Sequence, residues 1–250
     1  MEYQPVTPFK DTVKLRKQMI QTCLDMRDKY GFFIGTWGNI SVRVEEGMLV
    51  TPTRVSYDEL TVEDIVVVTL EGKVMHSKRL PTSEVELHRG LMLKRPDIGA
   101  FIHSHSPYAS AFACAHRSIP VVVDDMAEII GGEVRCAAYV PAGRHKEMAN
   151  AVCEAINDDS FAVLISNHGA VVGGRDLNEA TAASLILEKA ALICIHAAAI
   201  GNAQLVPEDA WREERHRYLF KYGKAEDFKG LFELKKEEIK PRISANKRRD

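Results

Sequence analysis

Apolar side chains recur at helical spacing in several stretches of the chain. Between residues 9 and 29 they return every three or four positions, which predicts an amphipathic helix that ends at Gly31. Residues 177–200 are rich in Ala, Leu and Ile on both faces, so we expect that helix to be buried in the domain or in a subunit contact. Similar signals predict further helices, which span residues 83–94, 107–115, 125–130, 144–157 and 207–222.

Short apolar runs, often β-branched, lie between these helices. The stretch IVVVTL at 65–70 is an example, and a turn at 45–47 joins two other runs into a hairpin. The predicted strands are residues 40–44, 48–50, 65–70, 98–105, 121–123, 134–140, 161–166 and 170–172. Because strands and helices alternate without a repeat or a linker, the sequence predicts one α/β domain over residues 1–223. Residues 224–250 are rich in Lys and Glu and are expected to form a charged, solvated tail.

The composition changes this picture little. The 250 residues are 46% hydrophobic and 27% charged, with a net charge of −2, which gives no sign of a nucleic-acid or membrane partner. The first residues lack the apolar core of a signal peptide. The five cysteines form no Cys-x-x-Cys pair and lie among apolar residues, so we expect buried free thiols and a cytoplasmic protein.

Two histidines lie two positions apart near the end of the predicted strand 98–105. Since side chains alternate between the two faces of a strand, His103 and His105 point to the same side. Paired imidazoles of this kind are common in zinc sites, although ordinary surface or core histidines are an equally frequent alternative. His168 follows a later strand and precedes Gly169, where we expect a close backbone approach. Three histidines with a fourth position open are typical of a catalytic zinc site.

The predicted helix at 83–94 begins with a cluster of polar residues. Ser83 and Glu86 have the spacing of a capping box, which would satisfy backbone N–H groups at the helix start. The helix dipole favours an ionised Glu84, either as a simple helix-start carboxylate or as a general base near the metal. Thr82 and Ser83 place hydroxyl groups beside free backbone N–H groups, which favours the binding of an anion.

Other polar residues are candidates to support this helix start. Asn39 and Thr53 lie in two turn-rich loops and could add donors for a phosphate, although both loops also have ordinary turn sequences. His88 lies one helical turn after Glu84 and could support it from behind.

Taken together and in order, these segments resemble the class II aldolase and adducin family. The resemblance covers residues 10–200 and is carried by five blocks, which are GTWGNIS at 35–41, TPT at 51–53, PTSE at 81–84, HSH at 103–105 and NHG at 167–169. It implies a three-layer α/β/α sandwich around a central mixed sheet. It also implies a homotetramer with active sites at subunit contacts.

The resemblance assigns a role to each candidate residue. His103, His105 and His168 would bind Zn²⁺, with Mn²⁺ or Co²⁺ as alternatives, and Glu84 would be the catalytic acid and base. The substrate phosphate would be held by Asn39, Thr53, Thr82 and Ser83. Sugar aldolases of the family use a tyrosine near the C-terminus that reaches a neighbouring subunit's site. Tyr222 resembles that catalytic tyrosine, with a packing role as an equal alternative.

The implied activity is zinc-dependent cleavage of a phosphorylated ketose or deoxyketose into dihydroxyacetone phosphate and an aldehyde. Related sites support decarboxylation of a 3-oxo sugar-acid phosphate, 4-epimerisation or dehydration, and these are alternatives.

Glu84 argues against the epimerase, because the resemblance implies an aspartate at this position in the epimerase branch of the family. Arg54 replaces the glycine usual in the sugar aldolases and could bind a substrate carboxylate, so the decarboxylase stays open. Asp125 lies near a position where one branch of the family has a catalytic tyrosine and the epimerase branch has an aspartate. The alternative is that Asp125 is a solvated acid at a helix start. The adducin-like binding modules lack the metal histidines, which argues against a non-catalytic role.

Overall fold

A seven-stranded sheet lies at the centre of the computed structural model, which describes residues 3–75, 77–224 and 227. Its strands are β1 (Asn39–Val44), β2 (Gly47–Val50), β3 (Val66–Val68), β4 (Ala100–Ser104), β5 (Cys136–Ala137), β6 (Ala162–Ile165) and β7 (Gly169–Gly174). They lie in the order β3-β2-β1-β4-β7-β6-β5. Neighbouring strands are antiparallel except β5 and β6, which are parallel, so the predicted mixed sheet is confirmed.

Helices cover both faces of this sheet. They are α1 (Val13–Asp28), α2 (Val85–Lys94), α3 (Pro107–Cys114), α4 (Asp124–Ile129), α5 (His145–Ala155), α6 (Leu177–Ile200) and α7 (Glu208–Phe220), with a 3₁₀ turn at Val62–Asp64. Because successive residues of β4 point to opposite faces, Phe101 packs with α2 and α5 while Ile102 packs with α1 and α6. A third apolar cluster joins α3, α4 and α6 to β6 and β7. The predicted three-layer α/β/α sandwich is therefore confirmed.

Strand β1 is buried on both faces, although its residues alternate between apolar and polar. Ile40 and Val42 contribute to the core beneath α1. On the opposite face, the guanidinium of Arg43 donates to the carbonyl oxygens of Met92 (2.6 Å), Arg95 (3.1 Å) and Ile98 (3.0 Å), at and beyond the end of α2. A buried cation is tolerated there because it satisfies carbonyl groups that the helix end leaves without partners.

The predicted capping box at Ser83 and Glu86 is wrong. Helix α2 begins at Val85, with Glu84 at the N-cap and no side-chain capping hydrogen bond. Glu86 instead forms an ion pair with Arg89 one turn further on (2.6 Å), so its carboxylate is not available to the helix start. The chain therefore places Glu84 itself at the positive end of the helix dipole.

Three predicted strands also differ from the structure, since one does not form and two are shorter than predicted. Residues 121–123 form no strand, because the carbonyl oxygen of Val121 accepts the N–H of Val206 (3.0 Å) and Val123 leads directly into α4. The predicted strand at 134–140 shortens to Cys136–Ala137, since Val134 pairs separately with Ile119. The strand predicted at 65–70 likewise shortens to Val66–Val68.

Helix α6 is the one described helix that is long and apolar enough to cross a membrane by length and composition alone. Ala183 and Leu187 on its buried face pack against the sheet, while Ile200 at its C-terminal end is 89% exposed, so the predicted burial within the domain holds for only part of this helix. The five cysteines are free, as predicted, but only Cys23 is buried, while Cys114 is exposed and the other three are partly exposed. Of the predicted tail 224–250, all but Lys224 and Asp227 lie outside the described residues.

Candidate metal centre and active site

Three histidine side chains meet where two neighbouring strands end and begin. His103 lies in β4, His105 follows that strand, and His168 directly precedes β7. One ring nitrogen from each histidine lies within 4.8 Å of the other two. Nε2 of His103 is 3.0 Å from Nε2 of His105. This spacing fits a single metal ion bound by three imidazoles with a further position open to substrate.

The orientation of His103 is set by the adjacent strand. Its Nδ1–H donates to the carbonyl oxygen of Ala170 (3.0 Å). A neutral imidazole carries one proton, so Nε2 presents a lone pair to the other two histidines. Burial, reinforced by the neighbouring histidines, lowers the pKa of His105 to about 4. His105 is therefore neutral at pH 7, which is the form that binds a metal.

Glu84 faces the histidines from the N-terminus of α2. Its Oε1 is 3.3 Å from Nε2 of His168, and its Oε2 is 3.3 Å from Nε2 of His103. Nδ2 of Asn39 donates to Oε2 (2.7 Å). Burial alone would raise the pKa of Glu84, but His103, the Asn39 hydrogen bond and His168 outweigh burial and lower the pKa to about 2. Glu84 is therefore a carboxylate at neutral pH.

A buried hydrogen-bond chain continues behind Glu84, on the side away from the histidines. Oδ1 of Asn39 is 2.5 Å from Nε2 of His88, and Nδ1 of His88 is 2.7 Å from Oγ of Ser41. Burial is the main reason that the pKa of His88 is lowered to about 3. Both ends of the Asn39 amide are thus engaged with Glu84 and His88, whereas the sequence predicts a phosphate-binding role for this residue.

The turn that carries His168 has an unusual backbone conformation. Asn167 has a φ of 55°, in the left-handed region that Asn tolerates better than most residues. A Cβ on Gly169 would lie 2.3 Å from the carbonyl oxygen of Ser104 and 3.4 Å from a ring carbon of His103. Only glycine lets β7 approach β4 this closely beside the three histidines, so the predicted close approach is confirmed.

The opposite side of the site presents hydroxyl groups and one guanidinium. Two loops lie side by side there, because the N–H of Thr82 donates to the carbonyl oxygen of Thr51 (3.0 Å). The residues of these loops that face the cavity include Thr53, Arg54, Thr82 and Ser83. Arg54 has a φ of 58°, in the left-handed region that favours glycine. Among the described residues, its guanidinium has no hydrogen-bond or ion-pair partner.

An open cavity of about 560 Å³ joins the two sides, which is large enough for a small phosphorylated sugar. Glu84, His105 and His168 line it together with the exposed indole of Trp37. Tyr222 follows α7, is 56% exposed, and does not line this cavity in its own chain. Its reach into a neighbouring subunit therefore stays a prediction.

Sequence reasoning did not identify two aromatic residues that line the cavity. Tyr139 comes from the segment that joins β5 to α5, and His145 is the first residue of α5. The Pro-Ala-Gly stretch at 141–143 indicated a loop there, but nothing in the sequence indicated that this loop folds toward His168. These residues reach the site through tertiary structure alone.

The fold and the site together define an α/β sandwich enzyme with a three-histidine centre able to bind a metal. The family model for the Class II Aldolase and Adducin N-terminal domain matches residues 17–195. The chain belongs to the class II aldolase and adducin family, so the resemblance seen in the sequence is confirmed.

Individual relatives support the same assignment. A 5-deoxy-D-ribulose 1-phosphate aldolase from Bacillus thuringiensis serovar kurstaki is 36% identical over 181 residues, which are 72% of this chain and 84% of that protein. An L-fuculose phosphate aldolase from Escherichia coli is 36% identical over 167 residues, which are 67% of this chain and 76% of that protein. A solved structure of an L-fuculose 1-phosphate aldolase has a TM-score of 0.78 and 29% identity, and covers 84% of this chain and 99% of its own. The expected lyase class of enzyme is thereby confirmed.

Proposed function

We propose that this protein is a zinc-dependent aldolase that cleaves a phosphorylated ketose or deoxyketose into dihydroxyacetone phosphate and an aldehyde. The main support is the position of Glu84, whose two carboxylate oxygens each lie 3.3 Å from a nitrogen of the histidine cluster. A metal ion and a carboxylate this close can act on the same substrate atoms. The names of the relatives, which act on L-fuculose phosphate and 5-deoxy-D-ribulose 1-phosphate, agree with this class of substrate.

The donor set fits a transition metal. His103, His105 and His168 would hold the ion, and the hydrogen bond from His103 to Ala170 supports the required orientation of one ring. Imidazole ligands with an open position favour Zn²⁺, with Mn²⁺ or Co²⁺ as alternatives. When bound, the metal would polarise the substrate carbonyl and stabilise the negative charge that develops as the carbon–carbon bond breaks.

The substrate phosphate is assigned to the hydroxyl side of the cavity. Thr53, Thr82 and Ser83 line this side beside the N-terminus of α2, whose free N–H groups attract anions. Arg54 adds a guanidinium to the same wall, which is suited to a phosphate oxygen pair. Asn39 is expected to contribute less to phosphate binding than these residues, because its amide already binds Glu84 and His88.

Glu84 is assigned the proton transfer at the carbon where the bond breaks. In the direction of condensation, its carboxylate removes a proton from the hydroxymethyl carbon of dihydroxyacetone phosphate, and in the direction of cleavage it returns that proton. The aldehyde half needs a second group for the proton on its oxygen. We assign that role to Tyr222 of a neighbouring subunit in a homotetramer, because Tyr222 is exposed and lies outside the cavity of its own chain.

A panel of substrates tests this proposal. The purified protein is incubated with zinc, dihydroxyacetone phosphate and a series of short aldehydes, and condensation products are detected by mass spectrometry. Condensation with lactaldehyde would give a six-carbon ketose phosphate, and condensation with glycolaldehyde a five-carbon one. Condensation with acetaldehyde would give a five-carbon deoxyketose phosphate. Formation of at least one ketose phosphate is expected, and its absence across the series would contradict the aldolase assignment.

One observation favours a second candidate. Arg54 lines the cavity and its guanidinium has no partner among the described residues, so it can bind a substrate carboxylate as well as a phosphate. The alternative is a decarboxylase of a 3-oxo sugar-acid phosphate. Release of carbon dioxide from such a substrate, with no aldol product in the first panel, would favour the decarboxylase over the aldolase.

A further inference from the structure

We infer that His88 is a positioning residue for Glu84 and acts through Asn39, an inference that rests on the proposed function of the same site. The three side chains are joined by two hydrogen bonds, of 2.5 Å from His88 to Asn39 and 2.7 Å from Asn39 to Glu84. Ser41 adds a third bond of 2.7 Å at the far end. His88 is not one of the three clustered histidines and does not itself line the cavity, so its side chain reaches the carboxylate of Glu84 through the amide of Asn39.

The direction of every bond in this chain follows from the carboxylate. An ionised Glu84 only accepts hydrogen bonds, so the NH₂ group of Asn39 must face it. The amide oxygen of Asn39 then faces His88, whose Nε2 must carry the proton. Nδ1 of His88 is left to accept from the hydroxyl of Ser41. The chain therefore has one consistent arrangement, with His88 neutral.

The hydrogen-bond chain ends inside the protein, at Ser41. His88 and Ser41 are fully buried, and Ser41 has no further side-chain partner among the residues that the structure describes. A neutral histidine in this position cannot pass a proton from Glu84 to solvent. His88 thus orients Glu84, and the proton that Glu84 gains or loses is exchanged on the cavity side.

The loss of His88 would remove this orientation. Without a donor at its oxygen, the Asn39 amide is free to turn and present oxygen instead of NH₂ to the carboxylate. Groups that orient residues in metal sites typically change activity by about 10- to 100-fold. The predicted effect falls on kcat, because His88 does not face the wall assigned to the phosphate.

Two substitutions of His88 separate orientation from packing. His88→Leu fills the space but makes no hydrogen bond, and is expected to lower kcat by about 10- to 100-fold with KM changed less than about 3-fold. His88→Gln can accept from Ser41 and donate to Asn39, and is expected to recover most of the activity. Zinc content and thermal stability are measured for both. Equal kcat losses in the two variants would overturn the inference.

A double-mutant cycle with Glu84→Gln tests the route of the effect. If His88 acts through Glu84, His88→Leu causes little further loss in single-turnover rate once Glu84 is already replaced. A loss of the same factor in both backgrounds would overturn the inference. If His88→Leu does not fold, Ser41→Ala takes its place in the cycle, with an expected kcat loss of about 3- to 10-fold. An unchanged kcat in Ser41→Ala would then contradict the proposed role of the hydrogen-bond chain.

The tautomer of His88 gives a readout that does not need activity. In protein labelled with ¹⁵N at histidine, long-range proton–nitrogen NMR spectra assigned with His88→Gln should show the Nε2–H form of His88. The Nδ1–H form or the imidazolium at neutral pH would overturn the chain. If the wild type makes no ketose phosphate but shows the Nε2–H form, the aldolase proposal fails while the hydrogen-bond chain stands.

Discussion

Asn39 and His103 are paired residues across the antiparallel strands β1 and β4. Both side chains point to the α2 side of the sheet, where Asn39 binds the carboxylate of Glu84 and His103 contacts the same carboxylate. The register of one strand pair thus sets the distance between the most buried histidine of the cluster and the amide that holds Glu84. A slip by one residue would turn β1's side chain at this site to the opposite face.

Removal of the metal is expected to abolish cleavage, and added zinc should restore it. His105→Ala removes one of three ligands and should lower both zinc content and kcat, the latter by about 100-fold or more. Bound metal is measured by elemental mass spectrometry, and turnover by aldehyde release. His216→Ala, an exposed histidine on α7, is the matched control and should retain both. Full turnover in metal-free protein would contradict the metal assignment.

Glu84→Gln should keep the zinc but lower kcat by about 10²- to 10⁴-fold, because the amide cannot take up a proton. The same variant should lose exchange of the hydroxymethyl proton of dihydroxyacetone phosphate in D₂O, followed by NMR. Glu86→Gln is the matched control two residues further on, where the carboxylate pairs with Arg89. Normal exchange in Glu84→Gln would remove Glu84 from the proton transfer.

Arg54→Gly should have opposite effects on stability and binding. The free energy of unfolding is expected to rise by up to about 1 kcal/mol, since the relief of left-handed strain exceeds the added chain entropy of glycine. KM for the phosphorylated substrate should rise about 10-fold through loss of the guanidinium. Denaturant unfolding and steady-state kinetics measure the two quantities. Arg54→Lys, which keeps both charge and strain, is the control, and an unchanged KM in Arg54→Gly would exclude a substrate contact.

Acid should weaken the segment that leads into the hydroxyl side of the site. The hydrogen bond from Arg79 is the main cause that lowers the pKa of Asp64 to about 2. The folded state therefore binds fewer protons than the unfolded state between about pH 4 and pH 2, so this stabilisation is complete above about pH 4 and is lost as the pH falls through that window. The stability difference between wild type and Asp64→Asn in urea should shrink from about pH 6 to about pH 3. An equal stability difference at both pH values would contradict the predicted contribution of the Asp64 carboxylate.

The three-histidine cluster was predictable because its residues obey local rules. The period of two in a strand places His103 and His105 on one side, and Gly169 marks the close approach beside His168. Glu84 was found at the helix start even though the predicted cap on Ser83 does not form. The role of Ser41 and Arg43 was not predictable, because the groups that satisfy them belong to α2 and to the segment that follows it.

The edge of the sheet shows the same limit. Valines at 121–123 have strong strand propensity, but the hydrogen-bond partner of Val121 is Val206, far away in sequence. Tyr139 and His145 line the cavity because the loop before α5 follows a path that no periodicity describes. Contacts between distant segments therefore decide the elements and side chains that the sequence pattern missed.

Helix α2 carries Glu84 at one end and is bound by Arg43 of β1 at the other. Each residue of an α-helix turns the chain by about 100°. An insertion or deletion inside this helix would therefore swing Glu84 out of the site while Arg43 kept the other end in place. We expect natural variation in chain length to be absent between Glu84 and Met92.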